Sequence, residues 1–332
     1  MRVGLVTRDY PPRYGGMATY VEALARHLRA LGVEVEVFVG GGDVGTLFLA
    51  RSLSSRDFDV IHVASAPYGG LVSSGRTVVT VYEPVVSEWP YYGWGRKIKG
   101  LFAVRLEGRA LRRAGGVIAI SRETKRKLVS HYGLSDGKVV VVPLGVDSVG
   151  VGSARRSTSL PTILMVSRLD RRKNLDDALQ ALAKVESPFR LVVVGDGPER
   201  GRLEHLAHRL GLRVEFVGSV PQGELPGYYG EAGIFLSTSR SEGFGLSLLE
   251  AMAHGCAVLA SDIHAHRELV PDSRFGILYN NLDELTERLR MLIIKKNLVE
   301  SLGGAAQKLS LRYSWEDTAK ATLAVYHGVA GS

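Results

Sequence analysis

The sequence of 332 residues contains a single cysteine and no long apolar run. Cys256 has no second cysteine to pair with, so a disulfide framework within the chain is excluded. No stretch reaches the roughly 18 consecutive apolar residues that a membrane-spanning helix needs, and the apolar run after Met1 is too short for a secretory signal. We therefore expect a cytoplasmic protein.

Metal-ligand spacings and nucleic-acid-binding motifs are also missing. His264-Ala265-His266 is an isolated histidine pair near a predicted helix start, a pattern typical of a helix cap or a surface feature. No short-period repeat or low-complexity tract occurs. We expect neither a metal site nor a nucleic-acid partner.

Positive charge is concentrated in the first half of the chain. Residues 1–150 carry 20 basic and 13 acidic side chains, whereas residues 151–332 carry 22 and 21. This asymmetry predicts an anionic partner for the first half, such as a phosphorylated substrate or a membrane surface.

Short runs of Val, Ile and Leu alternate with amphipathic stretches, which is typical of parallel strands buried on both faces. In the first half the predicted strands are Val3–Thr7, Val33–Val39, Val60–Val63, Val78–Tyr82, Val117–Ile120 and Val139–Val142. In the second half they are Ile163–Val166, Leu191–Val194, Val214–Val217, Ile234–Leu236 and Val258–Ala260.

The length suits two domains of roughly 150 residues each. A passage rich in Gly, Ser and Arg, residues 147–159, interrupts the alternation and predicts an interdomain linker. Each half is expected to be a doubly wound α/β domain that binds ligands at the carboxyl ends of its strands, and two such domains predict ligands in the cleft between them.

Two loops in the second half carry candidate ligand groups. Arg168 and Lys173 lie between a predicted strand and a helix that begins near Leu175, so both cations can converge on one anion at the helix N-terminus. The alternative is a solvated basic loop. Residues 195–199, Gly-Asp-Gly-Pro-Glu, are expected to open a helix with Pro198 in its first turn, where a ligand or an ordinary turn explains the glycines equally well.

A third loop, Ser-Glu-Gly-Phe-Gly over residues 241–245, places backbone N–H groups at the start of an apolar helix, where an anion can bind. Glu250 lies on the same helix face as Leu246 and needs a partner, which two ribose hydroxyls can supply. The alternatives are a helix-dipole role for Glu242 and a buried ion pair for Glu250.

In combination, VSRLDRRKN, VVVGDGPE and SEGFGLSLLEAMAHG make the sequence resemble glycosyltransferase family 4, a family of GT-B enzymes. The resemblance covers essentially the whole chain and is strongest over residues 163–270. It implies two Rossmann-like domains facing across a cleft: residues 1–148 on the acceptor side and 149–311 for the donor. Residues 312–332 would form a helix that returns to the N-terminal domain.

The resemblance also implies an activity: retaining transfer of a hexose from a UDP-, GDP- or ADP-sugar to a hydroxyl, without a metal or other cofactor. Arg168 and Lys173 would hold the diphosphate, and these two cations with a helix N-terminus can stabilise the leaving group. Glu250 would bind the ribose. Glu242 would act in catalysis on the hydroxyls of the transferred sugar. Supporting donor contacts are implied for Gly15, Gly16, Gly243, Phe244, Gly245 and Leu246.

The sequence departs from the family at two sites expected on the sugar or acceptor side. Tyr82 stands where many relatives have a histidine, and it cannot titrate near neutrality. Glu268 matches a family glutamate, but it follows His264-Ala265-His266 where relatives usually carry small residues.

Residues 89–113 combine tryptophans and tyrosines with seven basic side chains and one acidic residue, Glu107. This composition indicates either contact with an anionic membrane surface, such as its inner face, and a lipid-linked acceptor, or a solvated basic helix under an aromatic lid. Two other classes stay open. They are a nucleotide-sugar epimerase of the same architecture and a non-catalytic sugar-nucleotide-binding scaffold.

Overall fold

The computed structural model of the chain describes residues 1–11, 15–41, 43–53, 57–67, 75–88, 94–147 and 160–331. The chain divides into two compact units, one of Met1–Gly145 with Tyr313–Ser332 and the other of Val146–Arg312. The expected domain boundary at residue 148 and nearly all of the predicted linker lie outside the described residues.

The first unit is built on a six-stranded parallel sheet. Its strands are β1 (Arg2–Thr7), β2 (Glu34–Val39), β3 (Val60–Val63), β4 (Thr77–Val81), β5 (Gly116–Ala119) and β6 (Val139–Val141). They lie in the order β2-β1-β3-β4-β5-β6. Its helices are α1 (Gly16–Ala30), α2 (Asp43–Leu53), α3 (Val85–Glu88), α4 (Trp94–Arg113), α5 (Arg122–Tyr132) and the C-terminal α13 (Trp315–Ala330).

Helix α13 packs against α1 and the central strands of this sheet. A buried hydrogen-bond chain fixes it there: the Tyr326 hydroxyl lies 2.6 Å from Nδ1 of His62, and Nε2 of His62 lies 2.7 Å from Oγ1 of Thr80. Burial lowers the pKa of His62 to about 3, so the imidazole stays neutral. Its two hydrogen bonds link α13 to β4.

The second unit has its own six-stranded parallel sheet. Its strands are β7 (Thr162–Val166), β8 (Arg190–Val194), β9 (Val214–Gly218), β10 (Ile234–Ser237), β11 (Ala257–Ser261) and β12 (Ile277–Tyr279). Their order is β12-β11-β10-β7-β8-β9. Its helices are α6 (Leu175–Leu182), α7 (Arg200–Arg209), α8 (Leu225–Glu231), α9 (Leu246–Ala253), α10 (His264–Leu269), α11 (Leu282–Ile294) and α12 (Lys296–Ser310).

The buried strands of this sheet are continuous apolar runs in the sequence because both of their faces are covered. Ile163 and Met165 of β7 join one core with α6, α7 and α11, while Leu164 between them is buried on the opposite face. Both faces are covered, so no polar alternation survives. The predicted fold class, two doubly wound Rossmann-like α/β domains, is confirmed.

The order of the second sheet reverses between β7 and β10, which are neighbours although two strands separate them in the chain. In doubly wound sheets such a switch point leaves a crevice at the carboxyl ends of the strands, where ligands bind. None of the helices that the structure describes is long and apolar enough to cross a bilayer.

Candidate active site

The loop after β7 is shaped by its own side chains. Asp170 accepts a hydrogen bond from the backbone N–H of Arg172 and so caps a short 3₁₀ turn, residues 171–173. Asn174 follows with a φ of 52°, a left-handed conformation that asparagine tolerates, and α6 begins at the next residue. The Thr238 hydroxyl, after β10, donates to the carbonyl of Lys173 at 2.9 Å. This bond ties the loops of the two switch-point strands together.

Lys173 and Glu242 form a close ion pair at this point. Nζ of Lys173 lies 2.5 Å from Oε1 of Glu242, and each side chain is 12 % exposed. The Ser239 hydroxyl donates to the same oxygen at 2.8 Å. Burial favours the neutral acid, but the charges of Lys173 and Arg172 outweigh it and hold the pKa of Glu242 at about 2. Glu242 is therefore an anion at neutral pH.

A small polar pocket opens beside this pair. Backbone and side chains of both switch-point strands surround it, and hydroxyl groups dominate its polar lining. The Ser167 hydroxyl oxygen is buried and has no hydrogen-bond partner among the described residues. The pocket is lined by Met165, Val166, Ser167, Lys173, Phe235, Leu236, Ser237, Thr238, Ser239, Glu242 and Ser247.

Helix α9 begins directly after the predicted glycine turn. Gly245 is its N-cap with a φ of 94°, a conformation that side chains other than glycine rarely adopt. Phe244 is buried and anchors the turn in the core, and Leu246 is the first helical residue. Gly243 and Glu242 thus lie just ahead of the helix N-terminus, whose backbone dipole favours an anion.

Glu250 lies on α9 with neutral partners. Oε2 accepts a 2.7 Å hydrogen bond from the Tyr229 hydroxyl, and Oε1 accepts a 3.4 Å bond from Nε2 of Gln222. Burial raises the pKa of Glu250 to about 7, although both hydrogen bonds act to lower it. Neither partner is charged, so among the described residues the ion-pair alternative for Glu250 is wrong.

Arg168 and Glu268 are the remaining predicted residues of the second unit, and Arg168 is less buried than Lys173 and Glu242. Arg168 is 62 % exposed, with its Nε 4.0 Å from the Asp170 carboxylate. Glu268 lies partly buried on α10. On the same helix, His266 is fully buried and bonds the Ser261 carbonyl at 2.8 Å, so the prediction of a cap or surface histidine is wrong for this residue.

The glycines of the second loop serve packing. A Cβ on Gly195 would lie 1.9 Å from the Ser167 carbonyl oxygen, and one on Gly197 would lie 2.3 Å from that of Leu169. The loop after β8 thus presses against the loop after β7. Helix α7 starts at Arg200, so Pro198 precedes the helix and does not lie in its first turn as predicted.

Three predicted residues belong to the first unit. Gly15 is the N-cap of α1 with a φ of 150°, which glycine alone adopts readily, and Gly16 is the first helical residue. Tyr82 follows β4 and packs edge-on against Tyr20, with ring centroids 5.4 Å apart. Its hydroxyl is buried without a hydrogen-bond partner among the described residues, and burial raises its pKa, so it stays a protonated donor.

Several site residues escaped the sequence reasoning. Ser167 and Ser239 carry a signal in the sequence, because each lies within two residues of the end of a switch-point strand and within three residues of a charged site residue, Arg168 or Glu242. Tyr229 and Gln222 carry none, because their contact with Glu250 joins residues that are 21 and 28 positions apart.

Comparison with known proteins identifies the family. The family described as glycosyl transferases group 1 matches residues 153–309, and Glycosyltransferase Family 4 matches residues 44–149. The chain belongs to these glycosyltransferases. It is a transferase that moves a sugar from a nucleotide sugar to an acceptor. The family resemblance predicted from the sequence is confirmed.

Similar proteins span nearly the full chain. A phosphatidylinositol N-acetylglucosaminyltransferase subunit from Arabidopsis thaliana is 27% identical over 98% of this chain and 81% of its own length. A sucrose-phosphate synthase from Thermosynechococcus elongatus has a TM-score of 0.85, with 21% identity over 98% of each chain. Anabaena HepE, solved with UDP and glucose, has a TM-score of 0.77, with 20% identity over 98% of each chain. These structures support the GT-B fold.

Proposed function

We propose that this glycosyltransferase is a retaining hexosyltransferase that binds a UDP-, GDP- or ADP-sugar in its second unit and transfers the hexose to a hydroxyl. The observation that carries the proposal is the Lys173–Glu242 pair at the switch point of the sheet, directly ahead of the α9 N-terminus. The pair offers a cation for a diphosphate and an anion for sugar hydroxyls within one pocket.

The charges suit departure of a nucleoside diphosphate. Lys173, the exposed Arg168 and the α9 N-terminus can stabilise the negative charge that grows on the leaving group. Because its pKa is held at about 2, Glu242 has no proton to donate at neutral pH, so its role is to accept hydrogen bonds from the sugar. We expect no metal requirement, and turnover should survive EDTA.

Glu250 is proposed to bind the ribose. Its carboxylate oxygens have four acceptor positions, of which Tyr229 and Gln222 occupy two. Two vicinal hydroxyls can use the others. Roles for Gly15, Gly16, Tyr82 and Glu268 toward the donor or acceptor stay predictions from the family resemblance.

Thermal-shift titration tests the donor site. UDP, GDP, ADP and their glucose, mannose and N-acetylglucosamine conjugates are compared, starting with UDP-glucose because HepE was solved with UDP and glucose. A ligand at 100 times its dissociation constant should add about 2.7 kcal/mol. Lys173→Met should abolish the shift. Lys184→Met, on an exposed lysine of the same unit, is the matched control. Unchanged donor binding in Lys173→Met would overturn the site assignment.

Turnover assays test the reaction class. Release of nucleoside diphosphate with sugar appearing on an acceptor supports transfer, whereas conversion of the donor without that release identifies an epimerase. Binding without either reaction identifies a scaffold. The anomeric configuration of the product, read by proton NMR, tests retention, and an inverted product contradicts it.

We also propose that residues 89–113 contact an anionic membrane surface at its inner face and that the acceptor is lipid-linked. Residues 89–93 lie outside the described residues, and α4 forms the described part of this surface. Its outward face carries the apolar side chains of Leu101 and Phe102, 44 % and 64 % exposed, followed by four exposed arginines. These arginines are Arg105, Arg109, Arg112 and Arg113.

The acidic side chain of this helix, Glu107, does not neutralise the charge of the exposed arginines. Glu107 is buried and accepts hydrogen bonds from the backbone N–H of Val85 and the hydroxyl of Tyr132. An exposed basic stripe with apolar side chains at one end fits anionic lipid headgroups over an acyl boundary.

Vesicle co-sedimentation tests this contact. Vesicles of phosphatidylcholine with phosphatidylglycerol should bind the protein in low salt and release it in high salt, whereas phosphatidylcholine alone should not bind. Phe102→Ser with Arg105→Gln should abolish binding. Arg190→Gln in the second unit is the control for net charge. Equal binding of both variants would exclude α4 as the contact and favour a soluble glycan acceptor.

A further inference from the structure

Tyr229 has no role in the predictions made from the sequence, yet it makes the shorter of the two hydrogen bonds to Glu250. It lies on α8, is 1 % exposed, and its hydroxyl is 2.7 Å from Oε2 of Glu250. Burial, together with the charge of Glu250, raises the pKa of Tyr229 well above its ordinary value. The phenol therefore stays protonated and can only donate to this carboxylate.

The tyrosine ring is held firmly from both sides. Its centroid is 5.2 Å from that of the His254 ring in a stacked arrangement, and 6.1 Å from that of Phe235 of β10. His254 in turn bonds the backbone carbonyl of Glu250 through Nδ1 at 2.8 Å. The Cys256 thiol donates to the Tyr229 carbonyl at 3.3 Å. The hydroxyl thus has a fixed position relative to the helix that carries Glu250.

The two oxygens of Glu250 are bound unequally. Oε2 takes the short bond from Tyr229, while Oε1 takes only a 3.4 Å bond from Gln222. A long hydrogen bond is weak and is given up readily to a better donor. One oxygen is thereby fixed, and the other can turn its lone pairs to a ligand.

We propose that Tyr229 is a positioning residue for the donor nucleotide: it anchors Oε2 of Glu250 so that the carboxylate is oriented and ionised to accept hydrogen bonds from vicinal ribose hydroxyls. The inference rests on the proposed donor site and adds to it the residue that prepares Glu250. Without the phenol, Glu250 would hold its proton to higher pH and would lose acceptor capacity.

The surroundings of Glu250 make pH a useful readout. The groups that face it are Tyr229 and Gln222, His254 at the end of the same helix, and Asp147, whose negative charge raises the Glu250 pKa. Burial lowers the pKa of His254, so this residue is neutral near pH 7. Toward the N-terminal end of α9 lie Glu242, ionised beside Lys173, and the buried His266 of α10.

The experiment measures the donor dissociation constant from pH 5.5 to 9.5 by calorimetry, with the nucleoside diphosphate that gives the largest thermal shift. In the wild type the affinity should rise through a midpoint near 7. In Tyr229→Phe, which keeps the ring, the midpoint should move up by about one pH unit, because a hydrogen bond to a charged group is lost. Affinity at pH 7 should fall about tenfold and recover to within about threefold at pH 9.5.

One control variant and the shape of the pH profile separate positioning from packing. Tyr228→Phe, on the neighbouring tyrosine of α8, should leave both affinity and midpoint unchanged. A purely structural role of Tyr229 would lower affinity equally at every pH, and an unmoved midpoint overturns the proposal. Should Tyr229→Phe fail to fold, Gln222→Met removes the weaker bond and should move the midpoint in the same direction by less.

Glu250→Gln distinguishes failure of this inference from failure of the proposed function. It should weaken donor binding and remove the pH dependence between 6 and 9. Normal affinity in Glu250→Gln would remove Glu250 from the donor site and refute the proposed function there. A weakened Glu250→Gln together with an unmoved midpoint in Tyr229→Phe would refute only the positioning role.

Discussion

Glu242 lies in the loop before α9, and Glu250 lies on α9 itself. Both side chains are partly buried, yet their pKa values shift in opposite directions. Glu242 meets the ammonium of Lys173 at 2.5 Å and has a pKa of about 2. Glu250 meets a phenol and an amide and has a pKa of about 7. Burial acts on both in the same sense, so the presence of a cation decides the outcome.

The difference assigns different chemistry to the two carboxylates. Glu242 is a permanent anion whose charge is already neutralised by its partner. Glu250 is poised near neutrality, so a ligand that offers hydroxyl donors can draw it into the ionised form. Such poised groups cluster at functional sites, which agrees with the proposed donor site.

Lys173→Met should have the largest effect, because it removes the cation that makes Glu242 differ from Glu250. The substitution leaves Glu242 buried without its cation, and unpairing a buried ion costs about 3 kcal/mol or more. Donor turnover should also fall on the order of a hundredfold or more, because charge stabilisation of the leaving group is lost. Urea unfolding and turnover assays measure both effects.

A double-mutant cycle checks the origin of that loss. Lys173→Met with Glu242→Gln should recover part of the stability but none of the turnover. Additive losses in stability would mean that the two side chains do not interact in solution.

Glu242→Gln should change the acid limb of stability. The folded pKa of about 2 lies below the ordinary value of 4.5, so the carboxylate contributes stability above pH 4.5 that is lost as pH falls toward 2. The variant should be less stable than wild type by roughly 2 kcal/mol at pH 7, with the gap closing toward pH 2. Chemical denaturation at several pH values measures the gap, and a constant gap contradicts the ion pair.

Glu250→Gln should change the free energy of unfolding in the opposite direction and by a smaller amount. The folded pKa of about 7 lies above 4.5, so the folded state holds its proton longer, and stability is lost as pH rises from 4.5 to 7. The variant should gain about 1 to 2 kcal/mol relative to wild type between pH 4.5 and 8, a figure reduced for partial exposure. Chemical denaturation of both proteins at pH 4.5 and pH 8 measures this gain. The same difference in unfolding free energy at the two pH values would show that Glu250 has an ordinary pKa.

Arg168→Gln should have the smallest effect on stability. The side chain is 62 % exposed, so the free energy of unfolding should change by less than about 0.5 kcal/mol. Donor affinity should still fall several-fold, because Arg168 is proposed to hold the diphosphate. Arg171→Gln, on a 77 % exposed arginine of the same loop after β7, is the control and should bind donor normally. Equal behaviour of the two variants would remove Arg168 from the site.

Most of the fold could be predicted from the pattern of apolar runs. Predicted strands such as Val60–Val63 match the structure closely because both sheet faces are covered and every residue must be apolar. The edge strand β12, Ile277–Tyr279, was not predicted, because only Ile277 and Leu278 are aliphatic there, whereas the equally short β6 lies in a run of consecutive valines. The strand order was also beyond reach, because it depends on which strands pair in space.

The sequence by itself determined the two α/β units and the candidate residues Lys173, Glu242 and Glu250, because the pattern of apolar residues and the chemistry of turns are local properties of the chain. Only the tertiary structure decided how these groups ionise. Lys173 reaches Glu242 across 69 positions of chain, and Tyr229 reaches Glu250 across 21. A pKa is set by whatever lies within a few ångströms, and for these two glutamates the fold supplies those neighbours from distant parts of the chain.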